Sequence, residues 1–171
     1  MILTMDELVN LNKSLNTDIN QLQVLCDGLE DFIRQYTNNN FTVKNTAYYT
    51  PVVNGKLKTQ SSLINEGDCV LISKSLYNDG VYVVDSIDGT VDKELLDEPN
   101  VKITLVRYPN AIKMGVIELL KYNVKMADKV GISSESISRH SVSYSGVGAD
   151  AIGGYPANMM SFLKPYMKAR F

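Results

Sequence analysis

The side chains best suited to chemistry in this chain are few and far apart. His140 is the only histidine among 171 residues, and its neighbours Ser138, Arg139 and Ser141 supply no carboxylate to orient the imidazole ring. A metal site made of several histidines is therefore excluded. We predict that His140 lies on the surface of a loop.

The two cysteines offer no better site. Cys26 and Cys69 do not form a Cys-x-x-Cys pair and have no histidine close by in the sequence. Cys26 falls in a predicted helix and Cys69 in a predicted strand, where a reduced cysteine usually packs as a small apolar residue. We therefore expect both thiols to be reduced core residues.

Carboxylates near predicted turns are the remaining candidates for acid–base catalysis or calcium binding. They are Asp79, Asp85, Asp88, Asp97 and Glu98. Aspartate is common in turns because its side chain accepts hydrogen bonds from nearby backbone amides, and the sequence has no Asp-x-Asp-x-Asp-Gly calcium loop. We favour turn formation, and we expect a protein that is not an enzyme, with no catalytic, cofactor-binding or metal-binding residues.

Two helices are predicted at the start of the chain. Thr4 and Glu7 form a capping-box pattern, so a short first helix begins there and ends near Lys13. A second helix ends at residues 38–40 and carries apolar residues three and four apart along one stripe. Gly28 inside this helix marks either a close helix contact or a tolerated weakness.

Residues 41–108 change from helical periodicity to the alternation that is typical of strands. Asn54-Gly55 between two apolar runs predicts a hairpin, and Asn78-Asp79-Gly80 predicts another tight turn. About five or six short strands of this kind predict a small barrel or rolled sheet. Its tyrosines either pack within the sheet, which we favour, or form a stacking platform for nucleic acid: Tyr48, Tyr49, Tyr77 and Tyr82.

The order of these elements defines the predicted architecture. Pro109 ends the last strand and opens a third helix. The fold class is therefore α+β: a small helical bundle with a β-barrel-like insertion between the second and third main helices, plus an extended C-terminal arm. We assign residues 1–40 and 109–130 to the helical core, 41–108 to the inserted β domain, and 131–171 to a loop and docking arm.

Charge and hydropathy narrow the class of partner. The formal net charge of -2 argues against a general nucleic-acid binder. The charge is uneven, because residues 1–40 are mostly acidic whereas the charged side chains after Asp150 are Lys164, Lys168 and Arg170. The sequence shows neither an apolar run of about 20 residues nor the pattern of a signal peptide, so we expect no membrane and a protein made in a cytoplasm.

The C-terminal quarter is the most distinctive stretch. A Ser/Gly-rich run over 131–154 predicts a long loop, and a short helix is predicted to begin at Pro156 and stop before Pro165. About two or three turns are too few to be stable alone in water, so this segment docks either on its own domain or in the groove of a partner. For the second case, we predict an arm that is mobile in the free subunit and ordered on assembly. The predicted protein-interface residues are Tyr144, Tyr155, Pro156, Met159, Met160, Phe162, Leu163, Pro165, Tyr166, Arg170 and Phe171.

An ordered series of short motifs runs along the chain. It consists of Leu3-Thr4-x-x-Glu7-Leu8, Leu29-Glu30-Asp31-Phe32-Ile33-Arg34-Gln35-Tyr36-Thr37, Tyr108-Pro109-x-x-Ile112-Lys113, Gly131-Ile132-Ser133-Ser134-Glu135-Ser136-Ile137, Ser141-Val142-Ser143-Tyr144, Tyr155-Pro156 and Leu163-x-Pro165-Tyr166. In this order and spacing, the series resembles the head-tail connector (adaptor, head-completion) proteins of long-tailed bacteriophages over rather more than half of the chain.

Two features depart from that pattern. Asn38 stands where the family usually has glycine, and a left-handed helix end tolerates asparagine nearly as well. The β segment replaces the short loop of many members. Its hairpin, Ser75-x-x-Asn78-Asp79-Gly80-Val81-Tyr82-x-Val84, resembles an insert in some connectors from phages of Gram-positive hosts.

The resemblance implies a structural adaptor of the phage neck, at the head-tail interface of the virion. Such a protein is made in the host cytoplasm, forms a dodecameric ring with neighbouring copies of itself and docks on the portal protein. The ring extends the DNA channel and offers an attachment surface to the next neck or tail-completion protein. Genome DNA then passes without specific binding, and the acidic N-terminal helices suit a channel wall that repels phosphate.

Two other functions remain open from the sequence. One is a nucleic-acid-binding module built on the β insert, and the other is a tail-completion protein of the same virion. Salt-dependent affinity for DNA favours the first of these, whereas co-purification with the portal favours the adaptor.

Overall fold

The computed structural model describes residues 1–58, 61–127 and 151–169, together with the backbone of 134–137 and 140–143. The chain divides into two compact units. The β unit contains Met1 and residues 39–108, and the helical unit contains residues 2–38 and 109–171. The fold is α+β, with a curled antiparallel sheet inserted between the second and third helices, as the sequence predicts.

Local side-chain caps fix the first two helices, α1 (Met5–Leu15) and α2 (Ile19–Thr37). The backbone N–H of Glu7 donates to Thr4 Oγ1 over 3.2 Å, and the N–H of Thr4 donates to Glu7 Oε2 over 2.7 Å. This reciprocal pair confirms the predicted capping box. Both helices end on an asparagine in the left-handed conformation, Asn16 at φ 51° and Asn38 at φ 49°. This confirms the prediction that asparagine at position 38 can end the helix in place of glycine.

Helix α3 (Asn110–Met126) completes the bundle. It packs against both α1 and α2, and Lys113 Nζ lies 3.0 Å from Glu7 Oε1 on α1. The core of the bundle consists of the apolar stripes of these helices. Its buried members include Leu8, Leu11, Leu22, Cys26, Leu29, Ile33, Ile112, Val116, Leu119 and Leu120.

Five strands form the curled sheet of the β unit. They are β1 (Tyr48–Val53), β2 (Lys56–Leu57), β3 (Cys69–Ser73), β4 (Gly80–Val83) and β5 (Glu98–Val106), in the order β2-β1-β5-β3-β4. Every neighbouring pair is antiparallel. The predicted hairpin joins β1 to β2 through Asn54 (φ 54°) and Gly55 (φ 71°), the left-handed pair that matches strand twist.

The segment between β4 and β5 covers both edges of this sheet. At the β4 edge, Val83 N donates to Asp92 Oδ1 over 2.8 Å, and Asp92 N donates to Val83 O over 2.9 Å. At the β2 edge, Leu57 N donates to Gly89 O over 3.0 Å. Unpaired strand edges promote association with other strands, so these bonds protect the half-barrel and nearly close it.

The remaining structure lies in the C-terminal part of the helical unit. Two antiparallel pairs, β6 (Ser134–Ile137) with β7 (His140–Ser143) and β8 (Ala151–Ile152) with β9 (Tyr155–Pro156), precede a 3₁₀ helix at Ser161–Tyr166. The predicted long loop over 131–154 is therefore wrong where these strands form, because each short strand pairs with a neighbour only a few residues away in the sequence.

The predicted terminal helix is also wrong in type and position. Turns occupy residues 157–160, and the helix that follows is 3₁₀ and includes Pro165 in its last turn. Helices of the 3₁₀ type usually occur as short pieces such as this one. Pro165 fits because its position does not require a backbone N–H donor.

The surroundings of Gly28 and Cys26 in α2 test the predictions made for these two residues. A Cβ at Gly28 would have no atom within 4 Å, so the alternative of a close helix contact is wrong and the glycine is a local weakness. Cys26 is fully buried and unpaired, and burial raises the pKa of its thiol to about 11. Cys69 is also free but only partly buried, and its Sγ lies 3.1 Å from the N-terminal nitrogen of Met1.

Candidate protein-interaction site

A buried carboxylate holds the loop between β3 and β4. Glu98 is only 6 % exposed, and its Oε1 accepts a hydrogen bond from the backbone N–H of Leu76 over 2.8 Å. Its Oε2 accepts from Ser75 Oγ and, over 3.2 Å, from Asn78 Nδ2. One side chain thus binds three successive parts of the loop.

Ser75 and Asn78 extend this network to the neighbouring backbone. Ser75 Oγ accepts from Asn78 N over 2.6 Å, and Ser75 N donates to Asp79 Oδ1 over 2.9 Å. The amide of Asn78 donates to Leu96 O and accepts from Leu96 N, each over 2.8 Å. Buried polar groups that are fully hydrogen-bonded favour a single conformation, so the network fixes the loop against the segment that leads into β5.

The same hydrogen bonds shift the ionisation of Glu98. The hydroxyl of Ser75 is the main cause, and the Leu76 amide and the Asn78 side chain add to it. Although desolvation acts in the opposite direction, the pKa of Glu98 lies below its ordinary value. The carboxylate therefore stays charged at neutral pH.

Three large apolar side chains project into water from the backbone that this network holds. Leu76 is 81 % exposed, Tyr77 67 % and Leu96 57 %. We call these three residues the apolar patch. Exposed apolar groups on a fixed loop typically mark contact surfaces, because a preorganised surface loses little entropy when a partner binds.

Exposed acidic residues lie close to the patch residues in the sequence. Asp79 follows Tyr77 by two positions, and exposed Glu94 and Asp97 flank Leu96. Two lysines are also close in the sequence, but each lies by a tyrosine ring: the Nζ of Lys74 is 5.9 Å from the centre of the Tyr49 ring, and that of Lys93 is 5.7 Å from the centre of the Tyr82 ring. Asp79, Glu94 and Asp97 each lie within two positions of a patch residue, and we call these three carboxylates the acidic border.

Most of the predicted turn carboxylates do cap turns. Asp97 Oδ1 accepts from Gly55 N over 2.9 Å, and Asp88 Oδ1 accepts from Thr90 N over 3.2 Å. Lys56 Nζ lies 2.5 Å from Asp88 Oδ2, and this bond is the main cause of a pKa well below the usual range for Asp88. Glu98 is the exception that sequence reasoning missed, because its burial at the start of β5 depends on donors some twenty positions earlier.

The other chemical candidates are the cysteines, the remaining carboxylates and His140. Within the described ranges, no three His, Cys, Asp or Glu side chains come together as a metal ion requires. The backbone of His140 belongs to β7 and pairs with Ile137, so the prediction that it lies in a loop is wrong. The short β6–β7 pair was not anticipated from a Ser-rich segment.

The four tyrosines do not share one surface. Tyr48 and Tyr49 are consecutive in β1, so their side chains point to opposite faces of the sheet. Tyr82 is buried at 9 % exposure, whereas Tyr49 and Tyr77 are exposed. The stacking platform therefore does not form from all four residues, and sheet packing accounts for Tyr48 and Tyr82.

The predicted interface segment packs on its own unit. Met160 and Leu163 are buried at 2 % and 0 % exposure, and the 3₁₀ helix contacts α2 and α3. Asn123 Nδ2 on α3 donates to Tyr155 Oη over 2.6 Å. Of the two predicted alternatives, docking on its own domain therefore holds for Met160 and Leu163, since these apolar side chains fill a gap beside two helices.

Two glycines provide space for aromatic rings in this packing. A Cβ at Gly115 on α3 would lie 2.3 Å from the ring of Phe162, and one at Gly153 would lie 2.5 Å from the ring of Phe32. Each ring therefore lies directly on backbone. Neither contact was predicted, because an isolated glycine in a sequence does not identify the ring that approaches it.

The remaining predicted interface residues differ in exposure. Tyr155, Pro156, Met159, Phe162 and Tyr166 are half-buried, and Pro165 is exposed. Tyr144, Arg170 and Phe171 lie outside the described residues. Fewer of the predicted interface residues are therefore accessible to a partner than the sequence analysis expects.

Beyond the 3₁₀ helix, the backbone is attached to the end of α2. Lys168 N donates to Thr37 O over 2.8 Å, and Asn38 Nδ2 donates to Ala169 O over 2.8 Å. Lys164 and Lys168 are exposed, and Met167 between them is 50 % exposed. We call Lys164, Met167 and Lys168 the tail epitope, because its backbone is fixed while its side chains face water.

Comparison with known proteins adds no family assignment. No family model matches this chain, and no curated protein is significantly similar to it. Among the described helices, none has the length and apolar character needed to cross a membrane.

Proposed function

We propose that this protein is a non-catalytic structural adaptor of a bacteriophage neck. In this proposal it forms a ring, docks on the portal protein, extends the DNA channel and presents a surface to the next neck or tail-completion protein. The ordered motifs that resemble head-tail connectors support this role, and so does the helical bundle with a β insertion after its second helix.

The observation that carries the proposal is the apolar patch on its fixed loop. Leu76 and Tyr77 remain in water although Glu98, a buried carboxylate, orders the backbone beneath them. Burying a charged group is costly, and here that group orders a loop whose apolar side chains contribute nothing to the core. Such an arrangement suits a protein whose work is binding other proteins.

The C-terminal segment supports the same proposal in a changed form. Because Met160 and Leu163 are buried, attachment to the portal falls to the accessible side chains of the segment, such as Met159 and Pro165. Because the C-terminal segment is packed on α2 and α3, these accessible side chains are held in place before the portal binds, which lowers the entropy lost on binding.

Co-purification with a tagged portal protein of the same virus tests the proposal. We expect the wild-type protein to elute with the portal and Met159→Glu to do so at least about tenfold less, since a charge enters a desolvated contact. Met114→Glu is the matched control, because Met114 is a methionine of the same unit at 69 % exposure. Circular dichroism checks that both variants fold. Failure of the wild-type protein to elute with the portal would contradict the proposal.

A DNA-binding assay separates the adaptor from the nucleic-acid alternative. We expect weak, nonspecific binding, because the net charge is -2 and two lysines of the β unit, Lys74 and Lys93, lie by tyrosine rings. Sub-micromolar affinity at physiological salt would favour a nucleic-acid-binding β unit instead.

A further inference from the structure

The apolar patch and the tail epitope are complementary in both chemistry and charge. The patch offers Leu76, Tyr77 and Leu96 to an apolar group. The carboxylates of the acidic border, Asp79, Glu94 and Asp97, lie within two positions of these residues in the sequence. The tail epitope offers one exposed apolar side chain, Met167, between two lysines. Methionine adapts well to irregular apolar surfaces and packs favourably on aromatic rings.

We propose that the apolar patch of one copy binds the tail epitope of a second copy. Met167 packs on Leu76 and Tyr77, while Lys164 and Lys168 face the acidic border. This inference rests on the proposed function, because it supplies the contact between neighbouring subunits of the ring.

Preorganisation on both sides supports this pairing. The patch is fixed by Glu98, and the tail epitope is fixed by the backbone bond from Lys168 to Thr37 and by Asn38. Neither surface needs to fold on binding, so the contact loses mainly translational, rotational and side-chain freedom. The lysines steer the encounter toward the carboxylates, and high salt weakens that steering.

The two surfaces differ, so the contact is head-to-tail. Each copy then retains one unused patch and one unused tail epitope, and further copies add until the ring closes. A head-to-tail contact makes a specific prediction for mixtures. Two variants that each lose a different surface associate with one another but not with themselves.

Sedimentation of the full chain over concentrations up to about 1 mM tests this contact, since that range detects even a weak contact with a dissociation constant of about 1 mM. The patch variant carries Leu76→Asp and Tyr77→Ala, and the tail variant carries Lys164→Glu, Met167→Asp and Lys168→Glu. We expect wild-type protein to self-associate and each variant to do so at least about tenfold more weakly. An equal mixture of the two variants should form a pair and nothing larger.

Matched controls separate this contact from general effects of charge. Ile87→Asp places a charge at an 85 % exposed apolar residue of the β unit, and Lys125→Glu reverses an exposed lysine of the helical unit. Both should associate like wild type. Wild-type protein that stays monomeric, variants that still associate alone, or a mixture that stays monomeric would each overturn the inference.

A photo-crosslinker at position 77 identifies the occupant of the patch. In mixtures with the portal, we expect cross-links to residues 164–168 of another copy, and cross-links to the portal instead would overturn the inference. Co-purification with the portal without self-association would also overturn it while leaving the adaptor proposal intact. Self-association through this contact without portal binding would support the inference and contradict the adaptor proposal.

Discussion

The Glu98 carboxylate accepts hydrogen bonds from Ser75, Leu76 and Asn78, and it determines the position of the apolar patch. Its pKa is below the ordinary value, so its charged form stabilises the fold. That stabilisation is complete above the pKa of the unfolded chain. It is lost as the pH falls from there through the lowered folded value.

We therefore predict that Glu98→Gln lowers the free energy of unfolding at pH 7 and removes part of its decline in acid. In glutamine, an amide nitrogen takes the place of one carboxylate oxygen, and it cannot accept the hydrogen bonds that Ser75, Leu76 and Asn78 donate to Glu98. The loop should therefore be held less firmly, and the Leu76 amide should exchange with solvent faster. Hydrogen exchange at Leu76 and chemical denaturation at several pH values measure both effects. Glu94→Gln, at an exposed position of the same segment, is the control. Unchanged protection at Leu76 would show that the carboxylate does not order the loop.

Closure of the half-barrel depends on the turn that ends at Gly89. Its φ is 92°, and a Cβ there would lie 2.0 Å from Leu57 O at the β2 edge. Gly67 has a similar φ of 84° but open space around it, so it isolates the cost of the backbone conformation alone.

We predict that Gly67→Ala destabilises the protein by about 1 kcal/mol. Gly89→Ala should cost at least about 2 kcal/mol more, because the turn must also move away from β2. Urea denaturation measures the difference. Equal losses for the two variants would mean that the turn does not close on Leu57.

The C-terminal segment meets α3 at another glycine. The ring of Phe162 packs directly on Gly115, whereas a Cβ added at Gly28 on α2 would have no atom within 4 Å. Both are helical glycines, so replacement by alanine brings the same gain in helix propensity of about 1 kcal/mol.

We predict that Gly28→Ala stabilises the protein by about 1 kcal/mol. Gly115→Ala should destabilise it, because overpacking costs about 1 to 3 kcal/mol and the ring must leave its position. Thermal or urea denaturation distinguishes the two signs. A stabilising Gly115→Ala would show that Phe162 does not pack on α3.

Local signals made several elements predictable. Thr4 and Glu7 lie within one helical turn, and Asn54-Gly55 encodes its turn in two residues, so each pattern is complete within a few positions. The role of Glu98 and the contact of Gly115 with Phe162 depend on residues distant in sequence, and no local pattern contains both partners. The apolar patch was therefore not predicted, although its turn was.

In the whole molecule, the C-terminal segment is part of the helical unit. Truncation after Asp150 removes Met160 and Leu163 from the core, so we predict a loss of about 3 to 6 kcal/mol in the free energy of unfolding. Far-ultraviolet circular dichroism during denaturation measures it. Lys164→Ala, at an exposed position of the segment, should change stability by less than about 0.5 kcal/mol. A truncated chain as stable as the full one would restore the hypothesis of a free docking arm.

Electron microscopy of the purified protein mixed with its portal tests the central claim most directly. If the protein is a neck adaptor, the images will show a closed ring of subunits on one face of the portal, coaxial with its channel. The resemblance to head-tail connectors predicts twelve copies in that ring, and the patch and tail variants should leave the ring incomplete. Portal particles without added density, at protein concentrations well above those of the portal, would contradict the account.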